Sequence, residues 1–227
     1  MKHALRMPEG MTMKRLLMML WLAAAGAASS RAQTSPDRRF AELPKPQAGE
    51  AVATFAGGSY WSTEPVFERL KGVRAVVAGH AGGTVPSPTY EQVSRGGTGH
   101  AECVQVYYNP TVISYARLLQ VFFAQHNPTT LNRQGPDEGP EYRSVAFYRT
   151  PQEKQLIEAE IKRLNDSRRY PTRVVTQVVP FRAFYPAERY LQNYFGNHPE
   201  HPYSRIVAAP RYQKVAQEFP ELLKPAP

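Results

Sequence analysis

The hydrophobic pattern along residues 50–196 predicts five short strands. Each is an apolar or alternating run of a length typical of a strand, and glycine or proline follows shortly after it. The predicted strands are residues 51–56, 73–78, 101–108, 144–148 and 173–179.

Between these runs, apolar residues recur at helical spacing and predict helices with one buried face. Ser62 or Thr63 is predicted to cap the first helix, with Pro65 in its first turn. Ser114 is predicted to cap a later one. The predicted helical segments are one that follows Ser62 or Thr63, and residues 90–94, 115–125, 151–168 and 187–195.

Strands that alternate with helices, joined by uneven loops and without a glycine fingerprint, predict an α+β fold. We expect a two-layer sandwich in which helices pack on a mixed sheet. Residues 50–196 are predicted to form this domain, with a polar loop at 127–141. Residues 33–49 are predicted to be a linker, and residues 197–227 a proline-rich, irregular tail.

Residues 1–32 are predicted to be a secretion signal, with a buried helix as the alternative. Met13 offers a second start site, and two basic residues follow it before the uncharged apolar run 16–28. Residues 30–32 then supply a small-residue cleavage site. The run is shorter than the roughly 20 apolar residues of a membrane span. We therefore expect export to the periplasm or the outside of the cell, without a stable membrane anchor.

The charge of the chain does not indicate a nucleic-acid partner. The formal net charge is +9, but residues 1–32 hold five basic residues and one acidic residue, so that +5 remains without them. Those basic residues are scattered rather than aligned along one element. We expect a monomer. Because Cys103 is the single cysteine, an intramolecular disulfide is excluded.

Four short motifs carry the candidate chemistry. They are Gly-Gly-Ser-Tyr-Trp at 57–61, Pro-Thr-Tyr at 88–90, Gly-His-Ala-Glu at 99–102, and an acidic loop ending in Tyr-Arg-Ser at 137–144. Singly, each has an ordinary structural explanation as a turn, a core aromatic or an edge carboxylate. In their order and spacing they resemble the A-type peptide-methionine sulfoxide reductases, whose first motif is Gly-Cys-Phe-Trp.

The resemblance implies a ferredoxin-like core and a defined reaction. In this family a cysteine thiolate attacks the sulfur of methionine S-sulfoxide while a carboxylic acid protonates the departing oxygen. Glu102 matches this acid, and an apolar environment favours its protonated form. Tyr90 and Tyr142 match the phenols that bind the sulfoxide oxygen, and Asp137 matches a polar site residue. No metal or bound cofactor is implied, and a thioredoxin-like thiol is the external reductant if the protein is active.

The same resemblance places Ser59 where the family has its nucleophilic cysteine. Tyr60 and Trp61 match the aromatic pair that holds the methyl group of the substrate. An ordinary thiol has a pKa of about 8.5, whereas a serine hydroxyl is far less acidic and cannot pass through a sulfenic acid. The family's recycling cysteine near the C-terminus is absent as well, since no cysteine follows Cys103.

Three functions compete on this evidence. The first is a non-catalytic relative that binds methionine S-sulfoxide in exported peptides or proteins. The second is an active reductase, through Cys103, by an unforeseen route, or because Ser59 is an engineered or erroneous residue. The third and weakest is a serine hydrolase, because Trp61 fills the last position of the Gly-x-Ser-x-Gly elbow.

Two residue groups have weaker alternatives. Cys103 follows Glu102 on a strand, so it is expected to face away from the site into a helix-packed layer and to be structural. His198 and His201 would suggest a metal site, but prolines follow both and favour an irregular tail.

Overall fold

A computed structural model describes residues 36–225, and its centre is a six-stranded sheet. In their order across the sheet, the strands are β7 (Gln177–Pro180), β6 (Ser144–Tyr148), β1 (Ala51–Gly57), β3 (Ala101–Tyr108), β2 (Val73–Ala81) and β8 (Phe184–Pro186). Neighbouring strands are antiparallel except for β6 and β7, which are parallel. The predicted α+β class with a mixed sheet is therefore confirmed. Two further strands, β4 (Arg133–Gln134) and β5 (Asp137–Glu138), form a separate hairpin.

Side-chain caps begin several of the helices. Ser114 accepts a hydrogen bond from the backbone N–H of Arg117, and Thr150 accepts one from that of Glu153. Within residues 36–225, no helix is both long and apolar enough to cross a membrane. The helices are α1 (Tyr60–Glu68), α2 (Tyr90–Arg95), α3 (Tyr115–Gln125), α4 (Pro151–Asp166), α5 (Tyr194–Asn197) and α6 (Ala209–Glu218), with a π-helix at Ser204–Ala208 and 3-10 turns at Pro140–Tyr142, Arg189–Leu191 and Pro220–Leu222.

The two faces of the sheet differ in what covers them. On one face, Phe55 of β1 stacks on Phe67 of α1 and Phe122 of α3, with ring centroids 5.4 and 4.9 Å apart. The other face carries a smaller apolar cluster, which includes Ala56 and Cys103 and is built by the strands and the chain beside them. Adjacent strand residues point to opposite faces, so β1 supplies both layers.

Two predicted elements are shorter than the sequence pattern suggested. The strand expected at 173–179 is confined to β7, because the backbone N–H groups of Val174 and Val175 donate to Asn165 Oδ1 and Pro128 O instead of to a neighbouring strand. The helix expected at 187–195 is only a 3-10 turn and the short α5. Asn193, in the left-handed conformation at φ 46°, separates them.

The irregular tail expected after residue 197 is wrong. The π-helix and α6 occupy this stretch, and α6 packs against α1 and α3. Val215 of α6 and Phe219, its C-cap residue, are both buried. The prolines misled the prediction, because Pro210 does not end the helix here. It lies where the π-helix passes directly into α6, and Ala208 at this junction is itself helical, at φ −74° and ψ −47°.

The N-terminal segment also differs from a free linker. The backbone N–H of Ala41 donates to Ala187 O at 3.0 Å, and that of Arg189 donates to Arg39 O at 2.8 Å. Residues 37–42 therefore lie along the chain that follows β8, whereas Lys45 O accepts a hydrogen bond from Arg74 of β2. The predicted secretion signal, residues 1–32, lies outside the described residues.

Candidate active site

The turn between β1 and α1 places Ser59 at the start of α1. Its Oγ accepts a hydrogen bond from the backbone N–H of Trp61 at 3.2 Å, so Ser59 is the N-cap. The predicted caps, Ser62 and Thr63, are wrong, because their hydroxyls donate to Ser59 O at 2.9 and 3.1 Å. Pro65 accordingly lies inside the helix instead of in its first turn.

Gly58 makes this turn possible. Its φ of +92° is a backbone angle that residues with a side chain rarely adopt, and a Cβ there would lie 2.6 Å from Gln134 Cγ. Gly97 has a similar φ of +85° but open space around it.

This pair of glycines gives a stability prediction. We expect Gly97→Ala to lower the free energy of unfolding by about 1 kcal/mol, the cost of a left-handed backbone alone. Gly58→Ala should lower it by about 2–4 kcal/mol, because crowding against Gln134 is added. Urea unfolding of both variants measures the difference, and equal losses would show that the turn tolerates a Cβ.

Glu102 of β3 reaches the same turn. Its Oε2 accepts a hydrogen bond from the backbone N–H of Tyr60 at 3.2 Å, and its side chain is fully buried. The carboxyl group therefore lies against the N-terminus of α1, where backbone N–H groups favour an acceptor. Ser59, Tyr60 and Glu102, taken from two distant motifs, are thus in one place.

The phenols predicted to bind the sulfoxide oxygen lie beside Glu102. Burial raises the pKa of the Tyr142 hydroxyl well above its ordinary value, and the charges of Glu102, Tyr90 and Asp137 raise it further. The same causes, burial first and then Glu102 and Tyr90, raise the pKa of Tyr60. Glu102, Tyr60, Tyr90, Asp137 and Tyr142 therefore lie close together, although they come from four separate motifs.

Trp61 is enclosed by aromatic rings from the C-terminal segment. The Tyr194 ring stacks on it with centroids 3.4 Å apart and an interplanar angle of 2°. Tyr203 and His201 meet it edge-on at 5.6 and 6.1 Å. On α1, the Glu64 carboxyl accepts backbone hydrogen bonds from the chain at Tyr194, which ties this segment to the helix. Trp61 has no exposed surface, so a peptide can reach it only if the segment moves.

The C-terminal segment also contributes polar groups that sequence reasoning missed. Tyr203 donates a hydrogen bond to Asp137 Oδ2 at 2.5 Å and hydrogen-bonds the Ser59 side chain. Arg211 of α6 donates from Nη1 to Gly57 O and to the Ser62 hydroxyl. The density of tyrosine and histidine in residues 194–203 was the available signal for this role.

Cys103 lies on the other side of the sheet from these groups. Its thiol donates to Gly79 O at 3.5 Å, and burial raises its pKa well above the ordinary value. It faces away from the site, as expected for a strand neighbour of Glu102. The expected helix-packed layer is wrong, however, since its cluster is built from the strands and adjoining chain.

His198 and His201 contact aromatic rings. The His198 ring lies 4.5 Å from that of Tyr194, and the His201 ring meets Tyr194 at 5.6 Å. Burial lowers the pKa of both imidazoles. Among residues 36–225, no group of three or more histidine, cysteine or acidic residues is arranged to hold a metal ion.

Comparison with known proteins agrees with this fold. The family model described as "Peptide methionine sulfoxide reductase" matches residues 51–223. The peptide methionine sulfoxide reductase MsrA of Thermus thermophilus is 49% identical over 176 residues, which are 78% of this chain and 99% of that protein. The chain belongs to the peptide methionine sulfoxide reductase family.

Solved structures of the family have the same fold. Reduced Mxr1 from Saccharomyces cerevisiae superposes with a TM-score of 0.63 at 32% identity, covering 70% of this chain and 93% of that one. Methionine sulfoxide reductase A of Corynebacterium diphtheriae gives 0.62 at 29% identity, covering 75% and 88%. The family match extends through α6, so the C-terminal segment lies within the stretch that the family model covers.

Proposed function

We propose that the protein recognises methionine S-sulfoxide in exported peptides or proteins and is impaired as a reductase, because Ser59 stands at the position of the nucleophilic cysteine. The single observation that carries this proposal is the location of the only thiol. Cys103 is buried on the opposite side of the sheet from Glu102 and Ser59.

The remaining site supports recognition of an oxidised thioether. Once the C-terminal segment has moved away from Trp61, Tyr90 and Tyr142 can donate from their hydroxyls to the sulfoxide oxygen, while Tyr60 and Trp61 pack against the methyl group. The Glu102 carboxyl lies within the same buried space. These groups bind and orient the substrate without a thiol.

The reduction itself needs an atom that accepts oxidation. A thiolate can take up the oxygen as a sulfenic acid and be restored by another thiol, whereas a serine oxygen has no equivalent state. Activity through Cys103 would require a buried thiol, whose deprotonation is disfavoured, to cross the sheet. An active reductase served by a thioredoxin-like thiol is the competing outcome of the tests below.

Binding is tested by ligand-dependent stability of the wild-type chain. We expect a peptide with methionine S-sulfoxide to raise the midpoint temperature of thermal unfolding. At a peptide concentration of about 100 times its dissociation constant, the free energy of unfolding should rise by about 2.7 kcal/mol. The matched peptides with methionine and with the R-sulfoxide are the controls. Equal effects of all three peptides would contradict recognition of the S-sulfoxide.

Turnover is measured on the same preparation with dithiothreitol as reductant. No conversion above that of a Cys103→Ala variant is expected. Conversion at an ordinary enzymatic rate would establish the competing reductase. Export, which rests on residues 1–32, is tested separately by the N-terminal residue of the protein recovered from a secreting bacterium, expected to be Gln33.

A further inference from the structure

Arg211 ties together the two sides of the turn that carries Ser59. Its Nη1 donates to Gly57 O at 3.1 Å and to Ser62 Oγ at 2.8 Å. Gly57 precedes Ser59 by two residues and Ser62 follows it by three, so one nitrogen bridges the chain across position 59. A Cβ on Gly58 would lie 3.1 Å from the same nitrogen, so the guanidinium packs closely under the turn.

The charge of Arg211 faces the polar chain that ends at Ser59. Burial lowers the pKa of Arg211, while the Tyr203 hydroxyl and Asp137 favour its cationic form. The Tyr203 hydroxyl in turn hydrogen-bonds both Asp137 and the Ser59 side chain. The cation therefore acts on position 59 through the backbone of the turn and through this chain.

We infer that Arg211 is a positioning residue of this site, which fixes the direction of the side chain at position 59 and places a positive charge beside it. The inference rests on the proposed function, because it concerns the same site. A nearby cation favours an anion, so the effect is measurable when position 59 carries a thiol.

Several charged or titratable groups act on a thiol at this position. Glu102 from β3 and Asp137 from β5 disfavour a thiolate when they are ionised, and Tyr142 and Tyr203 offer hydroxyls. Arg211 is the cation of this set. Arg211 also lies near His126, the C-cap residue of α3. Burial holds the pKa of His126 low, at about 3, against its hydrogen bond with Phe122 O, and the charges of Arg211 and Lys214 lower it further.

The test is a thiolate titration in the Ser59→Cys, Cys103→Ala background, which contains one thiol. Ultraviolet absorbance of the thiolate is followed against pH, with and without Arg211→Met. We expect the thiolate fraction at neutral pH to fall about tenfold in Arg211→Met, a change of about one in the thiol pKa. Arg211→Lys should recover part of it, because it keeps the charge but loses the two-point contact.

Arg205→Met is the matched control. Arg205 is also an arginine of the C-terminal segment, but its side chain is 70% exposed and pairs with Glu200 at 3.7 Å. Its titration should equal that of the parent. An unchanged titration in Arg211→Met, or an equal change in Arg205→Met, would overturn the inference.

Folding is followed by near-ultraviolet circular dichroism. If Arg211→Met does not fold, Arg211→Gln replaces it, since that change removes the charge but keeps an amide that can donate to Gly57 O or Ser62 Oγ, and leaves the hydrogen bond from Ser62 to Ser59 O in place. It is expected to lower the thiolate fraction about twofold or more, and an unchanged fraction would equally overturn the inference. Neither sulfoxide binding nor turnover enters the titration, so failure of the proposed function is seen separately.

Discussion

Replacing Ser59 by cysteine is expected to raise the turnover of methionine S-sulfoxide by at least about 10³-fold, the scale on which loss of a nucleophile acts in other enzymes. The thiol would occupy the N-cap of α1, where the backbone N–H of Trp61 donates to Ser59 Oγ in the wild-type protein. A helix N-terminus lowers the pKa of a thiol and so increases its thiolate fraction. The measurement is the initial rate with a methionine S-sulfoxide peptide.

The oxidation states balance in this variant without any further group from the chain. The sulfoxide gains two electrons and becomes a thioether, while the cysteine is oxidised to a sulfenic acid. Dithiothreitol in the assay then reduces the sulfenic acid and releases water. Because the external thiol acts directly, the missing recycling cysteine does not limit the assay.

Ser114→Cys is a matched control for this variant. Ser114 is also an N-cap serine, whose Oγ accepts from the backbone N–H of Arg117 at 3.3 Å, but it lies at the start of α3, outside the motifs that carry Tyr60, Trp61 and Glu102. A thiol at a helix N-terminus without the pocket should give no turnover. If Ser59→Cys folds and remains as inactive as Ser114→Cys, the pocket has lost its catalytic competence as well as its nucleophile.

Elements with strong local signals could be predicted from the sequence. The strand 101–108, the helix 115–125 and the strand 144–148 have the bounds that their patterns indicate, because alternation, a serine cap and flanking breakers agree there. The start of α1 could not be predicted in this way. Ser59, Ser62 and Thr63 could each cap the helix. With Ser59 as the cap, the backbone N–H of Tyr60 donates to Glu102, which is 42 residues away in the sequence.

The site residues also fall into two groups, those predicted from local motifs and those that depend on distant contacts. The four motifs identified every predicted site residue that the structure brings together, although the roles of those residues stay predictions. The enclosing groups were missed because they depend on contacts between distant parts of the chain. Tyr194, Tyr203 and Arg211 reach the site only because the C-terminal segment folds back over α1, and no local pattern encodes that return.

In the Ser59→Cys background, Glu102→Gln is expected to lower turnover by about 10²- to 10⁴-fold, the usual contribution of a general acid. Glutamine keeps an oxygen that can accept from the backbone N–H of Tyr60, so the contact at the start of α1 is preserved. It cannot deliver a proton to the departing oxygen, because an amide is not an acid near neutral pH. The initial rate is compared with the binding of the S-sulfoxide peptide, which should change far less.

Glu160→Gln in the same background controls for loss of a buried carboxyl group. Glu160 is 9% exposed on α4 and pairs with Arg163, far along the chain from the site motifs. Its rate should match that of Ser59→Cys alone, while its stability reports the cost of removing an ion pair. Turnover of Ser59→Cys that survives Glu102→Gln unchanged would remove Glu102 from the role of acid. Proton delivery would then fall to Tyr90 or Tyr142, the hydroxyls in the same buried space, and each is tested by its phenylalanine variant.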